Sequence, residues 1–258
     1  MKILVTNDDG IHAEGLWALV RELKKVAQVT VAAPDGERSA IGTAVTLFQP
    51  LHASEFCAPE DGVKAYAIDG SPSDCVILAL GKLITDNIDM VVSGINRDLN
   101  LGEDVYISGT VGAAMQGYFR GLPALAVSAP KGSPTGFKVA AQTTAALAQR
   151  MASHKPARIF LNINVPDLPM EEVHSVKITR LARSSHINTV SEDANSQHLQ
   201  YRLVRERVAE SGSDGTDIQA IVQGNVSITP LYTSLLDKPP LYLLKKLRAE
   251  LARELKKE

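Results

Sequence analysis

Short aliphatic and β-branched runs alternate with stretches of helical apolar spacing through the first 164 residues, which restricts the fold more than any other feature of the chain. Lys2 to Thr6 reads as a strand that stops at Asn7-Asp8-Asp9-Gly10. Leu16, Leu19, Val20, Leu23 and Val26 then recur at helical spacing with charges between them. Val29 to Ala33, Lys64 to Ile68, Asp89 to Ser93, Leu125 to Ser128 and Arg158 to Asn162 are further strand candidates. Ser71-Pro72 opens a helix expected to run to Leu83, with proline where the first turn tolerates it, and helices are expected from Thr110 to Arg120 and from Phe137 to Ser153. Strand, crossover helix and strand in repetition predict an α/β fold: a right-handed, mostly parallel sheet with helices on both faces. Ligands of such sheets sit beyond the carboxyl ends of the strands. Asp8, Asp9, Asp35, Ser39, Asp69 and Asn96 all fall at those ends.

The texture changes after Asn164, so the expected organisation is a core over 1–164 and a smaller C-terminal portion over 165–258. Strand-like pieces at Val176 to Leu181 and His198 to Val204 flank polar stretches, and a mixed segment runs from Asp217 to Val226-Ser227-Ile228-Thr229-Pro230-Leu231. From Pro240, Leu241, Leu244, Leu247, Leu251 and Leu255 lie amid lysines and glutamates as an amphipathic helix. That helix either caps its own domain or packs on another subunit, and the sequence leaves both readings open.

Composition removes whole classes of function. With 45% hydrophobic and 22% charged residues, the chain is neither disordered nor collagen-like. A formal charge of -2 gives no bulk basic character for holding a nucleic-acid polymer or a membrane surface. Cys57 and Cys75 are the only cysteines, too few for a disulfide scaffold or a four-sulfur zinc site, and they suit a reducing cytoplasm. The N-terminus runs straight into a strand pattern rather than a signal peptide. The longest apolar runs, such as Val76 to Leu80, fall far short of the roughly 18 residues that suggest a membrane span. A soluble, cytoplasmic protein is expected.

Three segments carry the chemistry. Two adjacent carboxylates, Asp8 and Asp9, at the end of a buried strand repel each other and are costly to bury unpaired. Aspartate is also common in turns and at helix caps, but a pair flanked by Asn7 and Gly10 favours a site for a hard divalent cation such as magnesium, manganese or calcium. In the loop Pro34-Asp35-Gly36-Glu37-Arg38-Ser39, the Ser39 hydroxyl can complete a hard-metal shell or bond a phosphate. Asn96, at a strand end, offers an amide oxygen as a further ligand. Ser108-Gly109-Thr110 precedes a small-residue helix start, where exposed N–H groups and the helix dipole favour an anion. Oxygen ligands and a phosphate cradle on successive strand ends suit metal-assisted phosphoryl transfer, most simply phosphate-ester hydrolysis. The dinucleotide Gly-x-Gly-x-x-Gly fingerprint after the first strand, the Walker loop and the Gly-x-Ser-x-Gly elbow are absent. The histidine ligands of a deacetylase and the Asp-x-Asp of a dehalogenase-type phosphatase are also missing at the first strand end.

Taken in order, these residues resemble the SurE family, stationary-phase survival proteins that act as 5'/3'-nucleotidases. The resemblance rests on Ile3-Leu4-Val5-Thr6-Asn7-Asp8-Asp9-Gly10-Ile11, Ala33-Pro34-Asp35 with Arg38-Ser39, and Asp69-Gly70-Ser71-Pro72-Ser73-Asp74-Cys75. It continues through Val92-Ser93-Gly94-Ile95-Asn96, Asn100-Leu101-Gly102, Ser108-Gly109-Thr110-Val111-Gly112-Ala113-Ala114 and the closing segment from Asp217. It implies a Rossmann-like core and a C-terminal portion, with a hairpin and terminal helix, that exchanges elements between subunits of a homodimer or homotetramer. The implied activity is dephosphorylation of nucleoside 5'- and 3'-monophosphates, and in some members of short polyphosphate, with one divalent ion per subunit. Asp8, Asp9, Ser39 and Asn96 would be the metal ligands, with Asp8 or Asp9 the nucleophile or base, and Ser108, Gly109 and Thr110 would cradle the phosphate. The alternative is a non-catalytic nucleotide- or metal-binding relative.

The chain departs from the family pattern at several points. Asp98, preceded by Arg97, stands where a glycine is usual. The common Asn-Arg-Ser-Gly reads Glu37-Arg38-Ser39-Ala40, and Gly42 and Ala44 replace small hydroxyl residues. Tyr106-Ile107 precede Ser108, where tyrosine is usually adjacent to the serine. All four implied ligands are present, so Asp8→Asn is expected to abolish metal-dependent turnover with the fold intact. Undiminished phosphate release by that variant would refute the assignment.

Overall fold

Residues 2–6, Lys-Ile-Leu-Val-Thr, form the central strand because both of their faces are apolar. Ile3 and Val5 enter one buried cluster and Leu4 another on the opposite side. The computed structural model describes residues 1–154, 159–183, 186–193, 200–207 and 214–231. Its strands are β1 (Lys2–Thr6), β2 (Gln28–Pro34), β3 (Ala53–Phe56), β4 (Lys64–Ile68), β5 (Met90–Asn96), β6 (Ala124–Ser128), β7 (Phe160–Asn164), β8 (Val176–Ile178), β9 (His186–Asp193), β10 (Gln200–Arg207) and β11 (Val226–Pro230). The α-helices are α1 (Glu14–Leu23), α2 (Pro72–Leu78), α3 (Gly109–Phe119), α4 (Pro134–His154) and α5 (Asp217–Val222).

Among the described residues, nine strands form one sheet in the order β3-β4-β2-β1-β5-β6-β7-β11-β8. All neighbours run parallel except β3 with β4 and β7 with β11. The chain moves outward from β1 through β2 to β4, then returns to β5 on the other side of β1. The crevice beyond β1 and β5 is therefore the topological switch point, where α/β sheets bind their ligands. Helices α1 and α4 pack together, as do α2 and α3. The apolar face of α1 (Leu16, Leu19, Val20, Leu23) joins one core cluster, while Cys75, Val76 and Ala113 of α2 and α3 join the other. A Cβ on Gly15 would lie 2.4 Å from the Ile95 carbonyl oxygen, so only glycine lets α1 approach β5 so closely.

The fold class expected from the strand and helix alternation is the one found. β1 and β4 have the expected bounds, and the other core strands differ at their ends by one to three residues. Three details differ more. The short edge strand β3, Ala-Ser-Glu-Phe, carries no β-branched run and forms through its antiparallel pairing with β4. The helix expected to run from Ser71 to Leu83 holds α-geometry only to Leu78 and continues as a π-helical turn over Ala79–Leu83. The strand expected to reach Leu181 ends at Ile178, after which the Thr179 hydroxyl bonds the hydroxyls of Ser227 and Thr229 at 2.8 and 2.7 Å. The expected amphipathic helix from Pro240 lies outside the described residues. β9 and β10 form a separate antiparallel hairpin. Among the described residues, no helix is long and apolar enough to cross a membrane.

The segment after β7 is tied back to the β5–α3 connection by one buried carboxylate. Asp217 accepts from the backbone N–H of Gly102 at 2.8 Å, of Ala182 at 2.9 Å and of Ile218 at 2.9 Å. Replacing it with alanine leaves three buried donors without partners, at about 1–3 kcal/mol for each one that water cannot reach. Asp217→Ala is therefore expected to lower the unfolding free energy by about 3 kcal/mol or more, read from urea denaturation. A loss under 1 kcal/mol would mean that this tie is replaceable.

Candidate active site

At the carboxyl end of β1 the chain turns sharply, and the Asn7 side chain closes the turn. Its Nδ2 donates to the Gly10 carbonyl at 2.9 Å and its Oδ1 accepts from the Gly10 N–H at 3.2 Å. The turn is laced to the loop after β2: the Ile11 N–H donates to Pro34 O and the Arg38 N–H to Asp8 O, each at 2.7 Å. Two carboxylates are thereby fixed in place, and Asp8 is buried. Asp8 Oδ1 accepts a short hydrogen bond from the Thr110 hydroxyl. A Cβ on Gly109 would lie 2.8 Å from Asp8 Cβ, so the first turn of α3 closes directly on this carboxylate.

Burial pushes the Asp8 carboxyl up to about 6, helped by the neighbouring Asp9 charge and opposed by the Thr110 hydrogen bond. Burial also raises Asp9, against the lowering effect of the Arg97 N–H and guanidinium. The Arg97 N–H donates to Asp9 Oδ2 at 3.1 Å, and Arg97 Nε lies 3.0 Å from Asp9 Oδ1. That Oδ1 is inaccessible to solvent and accepts no aligned hydrogen bond, so the arginine contact is ionic rather than directional.

Ser39 and Asn96 complete the oxygen set implied by the resemblance. The Ser39 hydroxyl donates to Glu37 Oε1 at 2.8 Å, which leaves its own oxygen lone pairs for another partner. Asn96, at the end of β5, donates its amide nitrogen to the Asp98 carbonyl at 2.5 Å, so its oxygen is the atom that would meet a cation. Asp8, Asp9, Ser39 and Asn96 line one cavity of about 280 Å³, together with Ser108 and Lys131. Among the described residues, no group of three or more histidine, cysteine, aspartate or glutamate side chains is arranged to hold a metal ion. The four-oxygen set differs in kind: two carboxylates and two neutral oxygens, one carboxylate oxygen being buried without a hydrogen bond. This is a hard-ligand set, and it fits a hard divalent cation.

The proposed phosphate residues divide. Ser108 lines the cavity and caps α3, its hydroxyl accepting from the Val111 N–H at 3.2 Å. Gly109 and Thr110 lie behind Asp8 and hold it in place. Residue types alone gave no hint of that buttress. Arg97 and Glu37 were visible in the sequence as departures from the family pattern, but not as an ion pair with each other, which they form. Lys131 follows the end of β6, where the rule that ligands gather at strand ends would have found it. Arg205 reaches the cavity from β10 and pairs with Asp104 across about 100 residues of sequence, and no local signal announces such a contact. The loop after Asn96 is clamped by buried amides. The Asn100 N–H donates to Asn164 Oδ1 at 2.9 Å, while Asn162 and Asn164 donate to the Asn100 carbonyl at 2.8 and 3.0 Å. Ala40 adopts a φ of +54°, a strained value for alanine and an easy one for the glycine usual there.

Two adjacent carboxylates at the switch point of a parallel sheet, beside neutral oxygens and a serine-capped helix start, define an α/β protein with an oxygen-lined cavity at its strand ends. A family model described as Survival protein SurE matches residues 3–188. A 5'-nucleotidase SurE of Dehalococcoides mccartyi is 48% identical over 246 residues, covering 94% of this chain and 93% of that protein. Another from Vibrio parahaemolyticus is 42% identical, covering 91% and 90%. The crystal structure of the SurE protein from Aquifex aeolicus superposes with a TM-score of 0.82 at 31% identity, over 96% of this chain and 100% of that one. The chain belongs to the SurE family.

The Asp8 shift carries a consequence for stability in the absence of metal. The folded state binds this proton more tightly than the unfolded chain, so the associated stability is fully present below about pH 3.8 and is lost as pH rises through about 6. The shift corresponds to a loss on the order of 3 kcal/mol. In chelator, Asp8→Asn is expected to be more stable than the native chain above pH 6 and to match it near pH 4, as read from thermal unfolding. Parallel pH profiles for the two proteins would refute the upward shift.

Proposed function

We propose that the protein is a nucleotidase that hydrolyses nucleoside 5'-monophosphates, and 3'-monophosphates and short polyphosphate by the same chemistry, with one bound magnesium, manganese or calcium ion per subunit. The names carried by its relatives support the nucleotidase reading. The observation that carries it is the convergence of Asp8, Asp9, Ser39, Asn96 and Ser108 on one cavity at the sheet's switch point.

In this reading Asp8, Asp9, Ser39 and Asn96 hold the cation, which when bound supplies Lewis-acid stabilisation of charge on the phosphoryl oxygens. The protein's own groups do the rest. Thr110 and Gly109 fix the Asp8 carboxylate, so little reorganisation is needed as substrate arrives. The Ser108 hydroxyl and the N-terminal turn of α3 bind the phosphate, helped by the positive end of the helix dipole. Lys131 adds positive charge on the same wall. The Asn100–Asn162–Asn164 clamp holds the strand-end loop still, so that the phosphorus is presented in line for attack by water or an aspartate. The C-terminal portion, 165–258, serves in this reading to join subunits into a cytoplasmic homodimer or homotetramer.

The test is phosphate release from a panel of nucleoside 5'- and 3'-monophosphates and short polyphosphate, first in chelator and then with added magnesium, manganese or calcium. Release only with cation, lost by about 100-fold or more in Asp8→Asn, is the expected result. Nucleotide binding without release from any substrate would instead identify a binding-only relative.

A further inference from the structure

Arg97 occupies an unusual position for a residue next to a cation ligand. It follows Asn96 directly, and its Nε rests 3.0 Å from Asp9 Oδ1, an oxygen proposed to hold the ion. The far end of the same guanidinium contacts Glu37 Oε1, the atom that also accepts the Ser39 hydroxyl. One positive side chain thus bridges an acid of the cation set and the acid that holds another member of that set. The Arg97 side chain is 52% exposed, against 5% for Asp9, so a solvent-facing charge covers a buried one. Its contact with Asp9 Oδ1 lacks hydrogen-bonding alignment, so the interaction is charge with charge and a cation can replace it without breaking a directional bond. Arg97 also lines the same cavity as Ser108 and Lys131, within the space a phosphate would enter.

We propose that Arg97 is an internal counter-cation: it offsets the Asp9 charge when no ion is bound, competes with the divalent ion for Asp9, and is released toward the substrate phosphate once the ion is in place. Two like charges cannot share Asp9 Oδ1 at contact distance, so arrival of a divalent ion expels the guanidinium. Glu37 tethers it at the rim, where the remaining unneutralised charge is the phosphate. The arginine therefore weakens metal binding in the empty site and strengthens anion binding in the loaded one. A purely structural arginine would have no such opposed effects. This inference rests on the reading of Asp8 and Asp9 as cation ligands.

The experiment is calorimetric titration of the full chain with manganese, then of the magnesium-saturated protein with inorganic phosphate, for the native chain, Arg97→Gln, Arg97→Lys and Asp9→Asn. Arg97→Gln keeps much of the shape without the charge and is expected to bind manganese roughly tenfold more tightly, because a unit charge at contact distance is removed. Arg97→Lys keeps the charge and is expected to stay near the native affinity. Arg97→Gln should also bind phosphate roughly tenfold more weakly, which is the release step read directly. Manganese affinity equal in the native chain and Arg97→Gln, with binding lost in Asp9→Asn, would overturn this proposal and leave the cation site standing. Tighter manganese binding with unchanged phosphate affinity would overturn the release to phosphate. Absence of manganese binding in all four proteins would overturn the cation reading and this proposal together.

Discussion

The repulsion between Asp8 and Asp9 at the end of the central strand is the constraint around which the rest of this site is arranged. Adjacent carboxylates are tolerated in a buried position only when each has its own compensation. The protein separates the two tasks. Asp8 faces the first turn of α3, where the Thr110 hydroxyl and the helix dipole stabilise it, and Gly109 leaves room for the contact. Asp9 faces the β5 end, where the Arg97 backbone and guanidinium oppose its charge. The stabilising groups thus come from two elements that leave β5 in succession. They converge on β1 because β5 is its sheet neighbour at the switch point.

The same constraint explains why distant parts of the chain are bound to the strand ends. A loop that carries a counter-charge must be held still, and the 97–104 loop is held from two sides. Buried amides on β7 fix Asn100, and Asp217 fixes Gly102. Asn162, Asn164 and Asp217 stand outside the cavity, yet they fix the loop that carries Asn96 and Arg97. Asp217, which the sequence marks only as the start of the closing segment, is a structural anchor through its three backbone hydrogen bonds.

Much of this was legible before any coordinates. The alternation of apolar runs specified the parallel sheet because both faces of β1 and β5 are buried and leave a continuous signal. The paired aspartates, Ser39 and Asn96 could be placed because the strand-end rule converts a one-dimensional pattern into a position, and Ser108 because a small-residue helix start follows it. What escaped depends on three-dimensional approach. The β3 edge, the Thr110–Asp8 bond and the Arg205–Asp104 pair each join residues whose local sequence is uninformative, and the pairing partner is supplied only by packing. Arg97 and Asp98 form an intermediate case. As departures from a family pattern they marked the right loop, while their partners could not be deduced.

Charge balance accounts for those partners. Two carboxylates and one divalent ion sum to zero, so a phosphate entering this site would meet no net repulsion from the proposed ligands. A third ionised acid facing the cavity would change that sign, which gives a physical reason for two of the four oxygens to be neutral. Yet Asp98 and Asp104 also line the cavity, and Glu37 stands at its edge. Each has its charge engaged elsewhere. Asp98 Oδ1 accepts from the Leu99 N–H at 2.8 Å, Asp104 pairs with Arg205, and Glu37 pairs with Arg97. The acid that replaces the family's usual glycine is thus turned into its own backbone, and the two other acids are matched by arginines, one just past the end of β5 and one on β10. Of the loop departures in this chain, Glu37 and Arg97 thus come as a mutually compensating pair, and Asp98 is held by the backbone beside it.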